Sequence, residues 1–345
     1  MTVHVGLGLF TGQIPAGSDR TYAQEYRDVV ELSRLAETLG FDSVWVSEHH
    51  GSTDGYLPSL LPMLAGLATA TDRVRLGTGV MLTPFHDPLR LAEDAAVVDQ
   101  ISEGRLILGL GLGWREEEFR MFGVPVGERV RRTTETVEIL RRAWTGDRFT
   151  HRGRVFDYDR VVVTPAPAQG AGPPIYLGGF VKDAVRRAGR LGDGYIRSRG
   201  GLEEGKQALA WAEEGARDAG KDADELAFAQ LQNAFVWEDG DAWESVREGA
   251  AHQLGVYAAW RGGADTPEKP TLEVPDLGDG TLRELTPAGD RHQVIQALRP
   301  LVEAFGGRRE FHLVVRLQYP GMDLDTAGRA VELFGAEVLP ALKGS

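Results

Sequence analysis

The chain has 345 residues, no cysteine and a formal net charge of −13. The acidic balance argues against a nucleic-acid partner, because neutralising phosphates needs clustered Lys and Arg. The missing thiols exclude disulfides, cysteine nucleophiles and thiolate metal sites.

Short apolar runs then alternate with longer amphipathic ones. "VHVGLGLF" (3–10) reads as a strand, and its apolar run is too short and lacks the basic start of a signal peptide. "YAQEYRDVVELSRLAETLG" (22–40) reads as a helix: Val29, Leu32, Leu35, Ala36 and Leu39 recur at helical spacing, and Gly40 ends it. "SVWVSE" is the second strand and "LPSLLPMLAGLATAT" the second helix. "RVRLGTGVML" and "PLRLAEDAAVVDQISEG" form the third pair, and "RLILGLG" and "ERVRRTTETVEILRRAWTG" the fourth. Each strand is apolar nearly throughout, as parallel strands buried on both faces are. The rhythm breaks at 147–174, which reads as a short hairpin and a Pro/Gly-rich connection. It resumes with "IYLGG", "VKDAVRRAGRLG", "GYIRS" and "GLEEGKQALAWAEEGARDAG". A seventh strand lies in "LAFAQLQNAFVW", followed by the helix "DAWESVREGAAHQLGVYAAW". Residues 261–288, rich in Gly, Pro and Asp, read as the least structured stretch and a candidate lid. "DRHQVIQALRPLVEAFG", the eighth strand "EFHLVVRLQYP" and "DTAGRAVELFGAEVLPAL" close the chain. No run approaches the ~18 apolar residues of a membrane span, so the expectation is a cytoplasmic protein without a membrane partner.

Eight β/α units without a composition break favour a (β/α)8 TIM barrel over a doubly wound sheet. The expected organisation is one barrel domain over 1–345, with insertions at about 147–173 and 261–288. Active sites of such barrels sit at the C-terminal strand ends. Strand 2 ends in Glu48-His49-His50. Adjacent residues on a strand point to opposite faces, so the two histidines cannot easily share one ion, and no metal is expected. Imidazole titrates near neutrality, which suits acid/base work by His49; a plain loop-fixing histidine is the bland alternative. Gly77-Thr78-Gly79-Val80 in strand 3 suggests a bulge or a close backbone approach. Gly109, Gly111 and Gly113 alternate on strand 4, and their missing side chains suggest either a flat wall for a planar ring or tight barrel packing. Gly178-Gly179 precedes a helix start that can hold a phosphate, or is simply a tight turn. Arg197 and Arg199 end strand 6; Arg316, Gln318 and Tyr319 end strand 8.

Together these segments resemble the luciferase-like flavin-dependent oxidoreductases. The resemblance rests on "GFDSVWVSEHH", "RVRLGTGVMLTPFHDPLRLAEDAAVVDQISEGRLILGLGLGWREEEFRMFGV", "TPAPAQGAGPPIYLGG" and "AGRLGDGYI", and covers nearly the whole chain. It implies a TIM barrel holding reduced FMN, with His49 as acid/base and Glu48 beside it. Gly79-Val80 falls at the family's strand-3 bulge, often a non-proline cis peptide. Gly109 and Gly111 fall near the ring. Gly178, Gly179, Phe180 and Val181 form the phosphate turn, with Lys182, Arg197 or Arg199 as charge partners. Phe180-Val181 replaces the usual Ser, and Leu112 stands where luciferase has an Arg. The implied activity is a two-component monooxygenase: a separate NAD(P)H:flavin reductase supplies FMNH2, and O2 oxygenates a small organic substrate through a C4a-(hydro)peroxyflavin. Tyr56, Trp114, Phe180 and Tyr319 are candidate substrate walls, and the family commonly forms homodimers, for which the second and third helices are candidates. An F420-dependent hydride-transfer enzyme is the less favoured alternative, since that branch usually ends strand 2 in Asp-His. A non-catalytic flavin-binding protein is a third.

Overall fold

A computed structural model describes residues 3–198, 200–262 and 274–344. Eight strands pair in parallel around a closed ring: β1 Val3–Phe10, β2 Ser43–Val46, β3 Arg75–Thr78, β4 Leu106–Gly111, β5 Ile175–Gly178, β6 Gly194–Ser198, β7 Ala227–Asn233 and β8 Phe311–Arg316. β8 closes on β1, with Val3 opposite Phe311 and Leu7 opposite Val315. The expected TIM barrel is the observed fold.

Side-chain alternation sorts each strand into two faces. On β8, Phe311, Leu313 and Val315 join the outer core under the helices, whereas Val314 joins the interior with Trp45, Ile107, Tyr176, Ile196, Ala229 and Leu231. The interior packs by pairing bulk with absence. Trp45 occupies the space beside Gly77, where a Cβ would lie 2.2 Å from its ring. Leu9 and Val80 cap this plug and form the apolar floor of the barrel mouth.

β3 stops at Thr78 and resumes as Met81–Leu82, still paired to β4. The bulge between them contains the cis peptide Gly79–Val80, where the family pattern places one. It also decides between the two readings of the strand-4 glycines in favour of tight packing. The space beside Gly109 is filled by the Thr78 carbonyl, 2.0 Å from where a Cβ would sit, and that beside Gly111 by Val80, at 2.5 Å. These glycines make room for the bulge, and Val80 rather than bare backbone forms the surface.

The expected hairpin is present as Phe149–Arg152 paired antiparallel with Asp157–Val161. The expected lid behaves differently. Residues 263–273 lie outside the described residues, but Asp279–Leu285 is helical and Ala288–Gly289 pairs with Phe235–Val236. Leu282 explains the order: it is buried with Phe235, Trp243 and Tyr319. Among the described residues no helix is long and apolar enough to cross a membrane.

Candidate active site

The end of β2 delivers three consecutive polar side chains, all buried, and sends them to different partners. Glu48 Oε1 accepts from His50 Nε2 at 2.6 Å and His86 Nε2 at 3.4 Å, while Oε2 accepts from Leu82 N at 3.3 Å. Burial works to raise the Glu48 pKa, but the hydrogen bonds from His50 and His86 prevail and hold it at about 2. Glu48 is therefore an ionised strut between the β2 and β3 loops, turned away from His49. The His50 ring lies between Phe85 and Phe122, at centroid distances of 5.7 and 4.6 Å.

His49 faces the other way, as alternation requires. Its Nδ1 lies 2.8 Å from Glu118 Oε1, on the short helix Glu116–Met121 that follows β4. A carboxylate only accepts, so Nδ1 carries the proton and Nε2 is the basic nitrogen. No described residue hydrogen-bonds Nε2. Glu118 Oε1 also accepts from the His50 backbone N at 2.9 Å and Arg115 Nη1 at 3.4 Å. The acidic partner of the histidine is thus Glu118 and not the neighbouring Glu48. The only cue in the sequence was the acidic first turn "REEEF", which helix-dipole preference explains equally well.

Four aromatic rings enclose His49. Tyr56 stands edge-on at 4.9 Å, Trp114 at 6.2 Å, Tyr257 at 5.4 Å and Trp260 at 4.7 Å. Tyr257 and Trp260 come from the helix Ala242–Arg261 after β7; their i, i+3 spacing there is also that of an ordinary core stripe, so sequence reading passed over them. The Arg115 guanidinium lies 4.0 Å over Trp260. Tyr56 Oη hydrogen-bonds Ser47 Oγ at 3.0 Å and Tyr257 Oη at 2.9 Å. Burial pushes the Tyr56 phenol well above its usual pKa, so it stays protonated.

Other expected contacts divide. Trp114 joins the wall around His49. Tyr319 does not: it is fully buried beside Phe235 and Trp243, donating to the Ala234 carbonyl at 3.1 Å. Phe180 and Val181 are exposed at the turn into the helix Lys182–Leu191, and Tyr195 Oη steadies that turn by donating to the Gly179 carbonyl at 2.9 Å. Arg197 does not serve the turn. It alternates to the outer face of β6, where its Nη1 meets Gln230 Oε1 at 3.1 Å and the Gly200 and Gly201 carbonyls at 3.4 Å. Arg199 lies outside the described residues. The cation beside the turn is Arg187, which lines a narrow cleft with Leu112, Thr133 and Gly178. Burial, then the nearby charge of Arg190, lowers its pKa; Arg129 acts in the same direction. Lys182 reaches outward to Glu214, 3.9 Å away.

The luciferase-like monooxygenase family matches this chain over residues 6–309. The chain belongs to that family and is an oxidoreductase of its kind. It is 32% identical over 171 residues to the oxygenase component of a flavin-dependent trigonelline monooxygenase from Acinetobacter baylyi, covering 49% of this chain and 47% of that one. It is 30% identical to an F420-dependent glucose-6-phosphate dehydrogenase from Nakamurella multipartita, covering 92% of each chain. Among solved structures it superposes on the monooxygenase RslO1 of Streptomyces bottropensis with a TM-score of 0.82 at 25% identity, covering 99% of both chains.

Proposed function

We propose that this chain is the oxygenase of a two-component system. It takes reduced FMN from a separate NAD(P)H:flavin reductase and uses O2 to oxygenate a small organic substrate. The carrying observation is His49, fixed by Glu118 and presenting Nε2 to a water-poor mouth of Tyr56, Trp114, Tyr257 and Trp260. The description of the Acinetobacter relative as an oxygenase component supports the separate reductase.

The residues present fit FMN. Leu9, Val80 and Leu231 offer an apolar floor for a planar ring, and the start of the helix Lys182–Leu191, with Arg187 beside Gly178, offers donors and charge to a phosphate. Reduced FMN, when bound there, supplies the electrons that activate O2. The chain's own part is threefold. The floor and aromatic walls exclude water. His49 Nε2 takes and returns the proton that the substrate or oxygen must exchange. Glu118 holds the ring in that tautomer and stabilises its charged form.

The test is stopped-flow mixing of the chain, loaded anaerobically with FMNH2, against oxygenated buffer. The expected result is a near-ultraviolet transient and flavin reoxidation at least about tenfold slower than for free FMNH2, since the site shields the reacting centre. Reoxidation at the free rate overturns the reading. The F420-dependent relative covering 92% of the chain favours a second reading, hydride transfer with F420. Tighter binding of F420 than of FMN, with reduction of F420 by an alcohol substrate under nitrogen, would establish it.

A further inference from the structure

Alternation carries β8 to an unusual end. Phe311, Leu313 and Val315 face the helices, Val314 faces the interior, and Arg316 is therefore the next inward residue, one layer above the floor. Arg316 is 3% exposed, yet its Nε and Nη1 have no hydrogen-bond partner, and it takes part in no ion pair among the described residues. Its guanidinium lies 5.9 Å from the Tyr319 ring centroid and acts electrostatically on the Tyr56 phenol. The Tyr56 ring is also the edge-on neighbour of His49. Arg316 thus ends β8 on the same C-terminal rim of the barrel at which β2 delivers His49.

Two other shielded arginines find acceptors for most of their guanidinium, although Arg308 Nε also lacks one. Arg105 donates to the Ala68, Thr71 and Val74 carbonyls, and Arg308 to Glu213 and the Ala223 and Leu226 carbonyls. Shielded guanidinium nitrogens without acceptors are costly. Such a cost is retained where a ligand repays it, and where stability has been traded for binding.

We propose that Arg316 anchors a negatively charged group of the substrate, so that this enzyme acts on a compact organic acid held by its carboxylate. The proposal rests on the reading that the His49 mouth is the active site. The planar, permanently charged guanidinium matches a carboxylate better than an ammonium would. Phosphate and sulfonate share the oxyanion chemistry, and the probes below separate them.

The experiment is isothermal titration of the full chain, with and without FMN, using benzoate and hexanoate, their amides, phenyl phosphate and benzenesulfonate. At least one carboxylate is expected to bind about tenfold or more tightly than its amide, which corresponds to ~1.4 kcal/mol, and more tightly than the phosphate or sulfonate. Arg316→Met should abolish that preference, Arg316→Lys should keep part of it, and FMN affinity should stay within about twofold. A second readout is the Tm of the ligand-free protein, which Arg316→Met should raise by removing an unpaired buried cation. The proposal falls if no acid outbinds its amide on the wild type, if the preference survives in Arg316→Met, if FMN affinity falls in parallel, or if Tm drops. A stronger response to phosphate or sulfonate overturns the carboxylate assignment. These titrations need no oxygen chemistry: acid binding through Arg316 without slowed flavin reoxidation would sink the oxygenase reading alone, and the converse would sink only this one.

Discussion

At the scale of residues, the two histidines of one dipeptide have separate tasks because a strand end points them apart. In the proposed reaction His49 handles the proton and Glu118 orients it. His49→Asn should lower kcat by roughly 10²–10⁴-fold, the usual weight of general acid–base catalysis. FMN affinity should change far less; an equal loss of both would remove His49 from proton transfer. Glu118→Gln should lower kcat less and alter the pH profile, because it releases the tautomer without removing the imidazole. Glu48 has a different signature. Its folded pKa of about 2 lies below the 4.5 of an ordinary glutamate. A depressed carboxyl stabilises the fold fully above about pH 4.5, and that stabilisation is lost as pH falls through about 2. The shift corresponds to about 3 kcal/mol. Denaturant midpoints at pH 7, 4.5 and 2.5 should show Glu48→Gln less stable at neutrality and less sensitive to the last acid step. Parallel pH dependence in variant and wild type would contradict this.

At the scale of elements, close backbone contact positions the turn proposed to hold the FMN phosphate. The helix Lys182–Leu191 packs on Leu202–Asp218 through glycines: a Cβ on Gly189 would lie 1.8 Å from the Ala212 carbonyl oxygen, and one on Gly215 1.9 Å from that of Arg186. Neither obstacle is a flexible side chain, so the helices must part. Gly189→Ala should destabilise by about 1–3 kcal/mol, the range for overpacking, and should weaken FMN binding because the turn Gly178–Val181 leads directly into this helix. Calorimetry with an FMN titration checks both; unchanged FMN affinity in a destabilised variant would detach the turn from the phosphate. The barrel was readable from sequence at this scale because strands buried on both faces are continuous apolar runs between amphipathic helices. The helix Asp279–Leu285 was hidden, since one buried Leu282 in a Gly/Asp-rich stretch makes no periodic signal. The site was half readable. His49, Tyr56 and Trp114 lie at strand ends that the barrel rule singles out. Glu118, Tyr257 and Trp260 reach His49 from other units, by contacts no local pattern records. Arg316 was partly within reach: counting by twos puts it on the face of Val314 and His312, which the structure shows to be the barrel interior. Its lack of a partner is a three-dimensional fact.

At the scale of the molecule, the described residues include several exposed apolar side chains, two of them on the third helix. Val97 and Ile101, one turn apart on the helix Pro88–Ile101, are 45% and 42% exposed. We expect a second copy of the chain to cover them, as the family resemblance suggested for the third helix. Sedimentation should give a mass near twice 37.6 kDa, falling to about half in Val97→Asp/Ile101→Asp if that stripe carries the contact. An unchanged mass in the double variant would move the interface elsewhere.

The aromatic wall around His49 has an optical consequence. Trp114 and Trp260 stand there with ring centroids 6.4 Å apart, while Trp45 and Trp243 are sealed in separate cores. An isoalloxazine entering that mouth absorbs where indole emits, so the paired tryptophans form an intrinsic donor set for energy transfer. Occupancy can then be read from dimming of the protein's own emission, and Trp114→Phe and Trp260→Phe would divide the signal between the rim and the helix that closes over it.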